Sequence, residues 1–180
     1  DVNYASTDRT NWEPLVHLNR MIEMALAYTY PASSMNGNVD LKSKLDLMLQ
    51  YWQSQAPSST NWYQNEIAEP QRMGLFLILM KYAGSQNVSQ TLFDNAIIRL
   101  RDKGGNPGAQ AGANRVDVAL HWMYRACLTG DRSLLQTAMD YIYSPIEYTT
   151  GSEGIQYDNS YTQHGRQLHI GSYGEVFLNG

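Results

Sequence analysis

Between Tyr161 and Gly174 the chain reads Tyr-Thr-Gln-His-Gly-Arg-Gln-Leu-His-Ile-Gly-Ser-Tyr-Gly, which puts two His, two Tyr, one Arg and three Gly into 14 residues. A histidine titrates near neutrality, and a tyrosine can take or give a proton where its neighbours favour it. His164 and Tyr173, nine residues apart across glycine-broken backbone, are therefore candidates for proton transfer. A loop histidine satisfied by ordinary hydrogen bonds is the competing reading, and residue types alone leave both open. Metal binding fits less well. His164 and His169 are five apart rather than the four that aligns two imidazoles on one helical face, and no acidic residue stands between them. Ser172 lacks the context of a nucleophilic serine, and Cys127 lies in a helical apolar run where a buried, inert thiol is expected.

Two further polar patches stand upstream. Ser58-Ser59-Thr60-Asn61-Trp62-Tyr63-Gln64-Asn65-Glu66 offers ring faces for stacking on sugars, with Asn61 and Gln64 as hydrogen-bond partners. A helix start with its aromatics folded onto the core accounts for it equally well. Gly112-Ala113-Asn114-Arg115 precedes an apolar helical pattern, so Asn114 reads either as a site residue or as the cap of that helix.

The elements that must position these residues are helices. Pro14 to about Tyr30 carries Leu15, Leu18, Ile22, Leu26 and Tyr30 at helical spacing, and Pro31 ends it. Leu41, Leu45, Leu47–Leu49 and Trp52 mark a second helix that stops near Pro57. Glu66 to about Tyr82 is apolar nearly all round in its second half and reads as a buried helix. Ser89 to Arg101 and Val116 to Leu128 repeat the pattern, with Gly130 as a stop. Asp131 caps a last helix reaching about Tyr143. Beyond Pro145 the chain has no sustained period and no convincing hairpin, and this irregular, tyrosine-rich stretch leads into the polar cluster. The class expected is all-α, built of antiparallel helix pairs.

Composition narrows the function. With 43% hydrophobic and 17% charged residues over 180 positions, the chain can bury a sizeable core. A net charge of −4 carries no basic footprint for nucleic acid, and the longest apolar run, Leu75–Met80, falls far short of a membrane span. A single cysteine excludes an internal disulfide framework. The chain has 13 Tyr and 4 Trp against 3 Phe, an excess of aromatics with a polar edge that suits a wetted, stackable surface such as a sugar cleft but also occurs in helical cores.

Three separated motifs, in order, resemble one family. They are Asn61-Trp62-Tyr63-Gln64-Asn65-Glu66-Ile67-Ala68, then Ala111-Gly112-Ala113-Asn114, then Gln163-His164-Gly165-x-Gln167-Leu168 with Ser172-Tyr173-Gly174. The resemblance is to the polysaccharide lyases that include chondroitin AC, hyaluronate and xanthan lyases. It runs from about Asn11-Trp12 to Phe177 and is nearest the chondroitin AC branch. It implies part of an incomplete α/α toroid and eliminative cleavage of a uronate-containing acidic polysaccharide, with no metal or organic cofactor, no nucleic acid and no membrane partner. It further implies that Asn114 binds the uronate carboxylate, that His164 and Tyr173 are catalytic, and that Asn61, Trp62, Tyr63 and Gln163 line the substrate cleft. Tyr63 stands where the chondroitin branch usually has a second Trp, and Arg166 where Pro is common.

The apolar stretch Tyr173–Leu178 runs almost to the last residue, so residues 1–180 are expected to be a fragment of the N-terminal catalytic domain of a larger lyase, lacking the rest of the toroid and the β-domains. From Gly151 on, one Arg and no Lys face Glu153, Asp158 and Glu175. The positive charge that a polyanion requires would then lie elsewhere, and the fragment alone is expected to be inactive. A polymeric substrate implies a secreted or periplasmic bacterial enzyme. The alternatives are a non-catalytic helical module binding sugar through Trp62 and Tyr63, and the same lyase chemistry on hyaluronan or xanthan in place of chondroitin sulfate.

Overall fold

In the computed structural model, which describes residues 2–179, the chain divides into two units at Gly104–Gly105. The first holds four helices: α1 (Pro14–Thr29), α2 (Val39–Gln55), α3 (Glu69–Tyr82) and α4 (Gln90–Lys103). Proline at the first turn of α1 loses no helical hydrogen bond, and Pro31 turns Tyr30 extended, which ends the helix. Asn38 caps α2 by accepting from the Leu41 amide at 2.9 Å. A π-helical turn, Gln64–Ala68, leads into α3. Pro70 has no N–H to close an α-helical bond onto Glu66, and the chain winds wider just ahead of it.

The core of this unit is Leu18, Met21, Leu45, Leu49, Trp52, Ile67, Phe76, Leu77 and Met80, all fully buried. Each such large apolar side chain contributes roughly 1.5–3 kcal/mol. The buried face of α1 differs from the expected one. It runs through His17, Leu18, Met21, Ala25 and Tyr28, while Leu26 and Tyr30 are 49% and 63% exposed. Because α1 packs against both α2 and α3, its buried stripe is centred between them, and small Ala25 suits that position better than Leu26. Across α3 and α4, Arg99 binds the buried Glu69 carboxylate through Nε and Nη2, and the same Nη2 donates to the Pro57 carbonyl at 2.7 Å. Burial pushes the Glu69 carboxyl up despite these bonds.

The second unit pairs α5 (Gly112–Thr129) with α6 (Arg132–Tyr143). Gly130 takes the left-handed conformation that ends α5, and the Asp131 carboxylate accepts from the Leu134 amide to begin α6, as expected. Cys127 is exposed rather than buried, because it lies off the face formed by Val116, Ala119, Ala126 and Leu128.

The irregular stretch after Pro145 is partly regular. Four strands, β1 (Tyr148–Thr149), β2 (Gly154–Gln156), β3 (Tyr161–Gln163) and β4 (Gln167–Leu168), form one sheet in that order. The first pair is parallel and the others antiparallel, with Gly154 opposite Thr162 and Gln163 opposite Gln167. Strands of two or three residues are too short to show an alternating pattern in sequence, so these hairpins depart from the expectation of none. A last helix, α7 (Tyr173–Asn179), closes the described chain. The class remains all-α with a minor sheet.

Candidate functional site

The polar cluster folds as a strand, a tight turn and a helix start. The turn His164-Gly165-Arg166 joins β3 to β4, and both His164 (φ 54°) and Gly165 (φ 81°) are left-handed. A histidine at positive φ is strained, so other contacts must hold the turn. One does: Glu153 Oε1 accepts from the Gly165 amide at 2.9 Å. The turn projects His164 into solvent, and its Nε2 lies 3.0 Å from the Tyr173 hydroxyl at the start of α7. The proton in this pair can sit on either atom, depending on the tautomer. The structure therefore brings together the two residues singled out for proton transfer.

A third ring completes the group. His169 sits edge-on to Tyr173 at 5.0 Å and to His164 at 5.9 Å, and His164 and Tyr173 are themselves edge-on at 5.1 Å. Sequence weighs His169 only as a metal ligand, and its five-residue spacing from His164 argues against that role. Its place against Tyr173 depends on the chain reversing between them, which spacing does not reveal.

Asn114 is not a cap. It lies inside the first turn of α5, whose cap position is Ala111, a residue with no side chain able to accept. The acceptor comes from β3 instead. Gln163 Oε1 takes the Ala113 amide at 3.2 Å and the Tyr161 hydroxyl at 2.5 Å. This satisfies one orphan amide of the helix across fifty residues. Asn114, half-buried, makes no side-chain hydrogen bond among the described residues. The same bond joins the residues immediately before Asn114 and before His164, so the two candidate groups are tethered at adjacent positions.

Gln163 itself, 2% exposed, is a buried strut rather than an exposed cleft group. Tyr161 shares that role: its ring packs on Phe177 at 4.9 Å, and burial pushes its hydroxyl up to about 12, against the opposing effect of the Ala113 amide. Gly112, at φ +52°, leaves room for this strut, since a Cβ there would lie 2.7 Å from both Gln163 Oε1 and the Tyr161 hydroxyl.

In the first unit, Trp62 and Tyr63 are 41% and 42% exposed, with ring planes at 80° and centroids 6.2 Å apart. A flat ligand can lie on one of these faces and abut the edge of the other, not stack on both. Asn61 is engaged at both ends, donating to the Arg9 carbonyl at 2.7 Å and accepting from the Tyr63 amide at 3.2 Å. Gln64 is buried and donates to the Arg9 and Thr10 carbonyls. Both amides thus set the conformation of the aromatic pair.

Comparison with known proteins places the chain in a family. Over all 180 residues the chain is 41% identical to chondroitinase-AC of Pedobacter heparinus, covering 25% of that protein. Over 167 residues, 88% of this chain, it is 28% identical to a xanthan lyase of a Bacillus species, covering 17% of it. A chondroitinase AC lyase structure, studied as enzyme-oligosaccharide complexes, superimposes with a TM-score of 0.94 at 39% identity, over 99% of this chain and 26% of that one. The chain thus spans about a quarter of the length of its chondroitinase relative. Residues 1–180 match the family described as polysaccharide lyase family 8, N-terminal α-helical domain. The chain, with its paired His164 and Tyr173, belongs to that family.

Proposed function

We propose that the protein containing this chain cleaves an acidic glycosaminoglycan of the chondroitin sulfate type by β-elimination at a uronic acid, leaving a 4,5-unsaturated product. The observation that carries the reading is the solvent-facing hydrogen bond between His164 Nε2 and the Tyr173 hydroxyl, 3.0 Å long. Membership of a family whose relatives are chondroitin and xanthan lyases supports it.

The chemistry follows from the residue types. The C5 proton of a uronate is weakly acidic while its carboxylate is charged. The Asn114 amide, without a partner among the described residues, donates to that carboxylate and disperses the charge that develops as the proton leaves. Tyr173, as phenolate or relayed through His164, takes the C5 proton. The C5–H electron pair forms the C4–C5 double bond, the C4–O4 bond breaks, and Tyr173 returns a proton to O4. Trp62 or Tyr63 supplies a ring face for a sugar. No metal or organic cofactor takes part in this scheme. A polymer of this size cannot enter a cytoplasm, so the enzyme acts in the periplasm or after secretion. The 180-residue chain alone is expected to be inactive, since residues 151–180 carry one Arg and no Lys against Glu153, Asp158 and Glu175.

The test uses the full-length protein with chondroitin sulfate, hyaluronan and xanthan, following the ultraviolet absorbance of the unsaturated uronide. Tyr173→Phe should lower turnover by about 10²-fold or more while leaving polymer binding intact. Substantial turnover by that variant rejects Tyr173 as the acid–base group. The exposed Trp62 and Tyr63 also fit a sugar-binding module without turnover, which the same panel would reveal as binding with no absorbance change on any polymer.

A further inference from the structure

We infer that His169 is a positioning residue that holds the Tyr173 phenol against His164, an inference that rests on the lyase reading above. Three observations converge on it. The His169 ring meets Tyr173 edge-on, at 5.0 Å and 86°, and meets His164 at 5.9 Å and 77°. Tyr173 is therefore flanked by two imidazoles, one bonded to its hydroxyl and one packed against its ring. The backbone of His169 then encloses the tyrosine: its carbonyl accepts from the Gly174 amide at 2.8 Å, and its amide donates to the Tyr161 carbonyl at 3.0 Å. This ties the start of α7 to β3, the strand that carries Gln163 into the first turn of α5. Finally, Nδ1 lies 3.0 Å from Ser172 Oγ, which sets the angle of the ring.

The remaining nitrogen tells what the ring does. His169 Nε2 is buried and has no hydrogen-bond partner among the described residues. With no bond at that nitrogen, the contacts of the ring are the Ser172 bond and its edge-on packing with Tyr173 and His164. Edge-to-face aromatic pairs have a preferred geometry, and a ring pinned by Ser172 transmits it to Tyr173. Losing the wedge lets the phenol swing away from His164. Misplacement of a reacting group by about 1 Å can cost about 10²-fold in rate.

The replacements separate shape from hydrogen bonding. Asparagine mimics the Nδ1 edge and keeps a partner for Ser172, but has no ring. Phenylalanine keeps the ring and loses that bond. In the full-length protein on chondroitin sulfate, His169→Ala and His169→Asn should lower kcat about 10- to 100-fold with KM within about twofold of the parent. His169→Phe keeps the ring against Tyr173 but not the Ser172 bond that sets its angle, so it should lose less kcat than either, about fivefold at most, with KM near the parent's. The ring signals of isotope-labelled Tyr173 by NMR should shift or broaden in the Ala and Asn variants and stay near the parent in the Phe variant. The opposite ranking, with Asn active and Phe impaired, overturns the inference. So do unchanged kinetics in all three, or a loss confined to KM. A parent protein that cleaves no polymer rejects the lyase reading instead. The Tyr173 ring signals then still decide whether His169 positions the phenol. If the Ala variant fails to fold, the Asn and Phe pair carries the comparison.

Discussion

Replacing Gly112 by alanine isolates the contact on which the site depends. Two costs add. The first is conformational: Gly112 sits at φ +52°, where a residue with a Cβ is disfavoured by about 1–2 kcal/mol. The second is steric: the new Cβ would stand 2.7 Å from both Gln163 Oε1 and the Tyr161 hydroxyl, so the strut must open. A buried group left without its partner costs about 1–3 kcal/mol. The sum is about 2–5 kcal/mol, concentrated at the junction of α5 and β3. Two other glycines separate the terms. Gly130 is also left-handed, at φ +70°, but an added Cβ there would meet nothing within 4 Å, so Gly130→Ala measures the backbone cost alone. Gly171 has neither the positive φ nor a near neighbour, and Gly171→Ala should fall within about 0.5 kcal/mol of the parent. The assay is amide hydrogen exchange at Ala113, whose N–H donates to Gln163, together with urea unfolding of the same full-length variants. Exchange at Ala113 should accelerate by about 30-fold or more in Gly112→Ala. If Gly112→Ala destabilises no more than Gly130→Ala, and Ala113 keeps its protection, the strut does not hold the site and the reasoning fails.

Other outcomes follow from buried ionisable groups. His121 is buried with its Nε2 on the Gly105 carbonyl, and burial lowers its pKa from 6.5 to about 4. The unfolded chain therefore binds this proton first. Its contribution is present above about pH 6.5 and is lost as pH falls toward about 4, by about 3 kcal/mol at most. Urea unfolding across that window should show the loss, and His121→Gln should flatten it; an unchanged slope in the variant contradicts the assignment. Arg99→Met strands the Glu69 carboxylate, whose side chain is 4% exposed, and should cost about 3 kcal/mol or more at neutral pH. The penalty should shrink in acid, where the stranded group is neutral, and a pH-independent cost would point to lost packing instead.

The order of helices was legible because it is local. A side chain that caps a helix and a proline that ends one act on backbone within four residues, so Asp131, Gly130 and Pro31 announced their roles. The α1 stripe was legible only approximately, since the choice between Ala25 and Leu26 as inward residue rests on which neighbours α1 meets. The residue types of the cluster were equally visible, and family resemblance attached roles to Asn114, His164 and Tyr173. Sequence could not tell Asn114 as cap from Asn114 as ligand, because the acceptor that relieves it of capping is Gln163, fifty residues away. Nor could it show that Asn61 and Gln64 spend their amides on Arg9 and Thr10. The ring of His169 likewise reaches Tyr173 only once β3, β4 and α7 are in register. Local physics sets which segments are helical and which residues could react. Which of them are free to do so is decided by hydrogen bonds and ring contacts between distant segments, and those exist only in the folded chain.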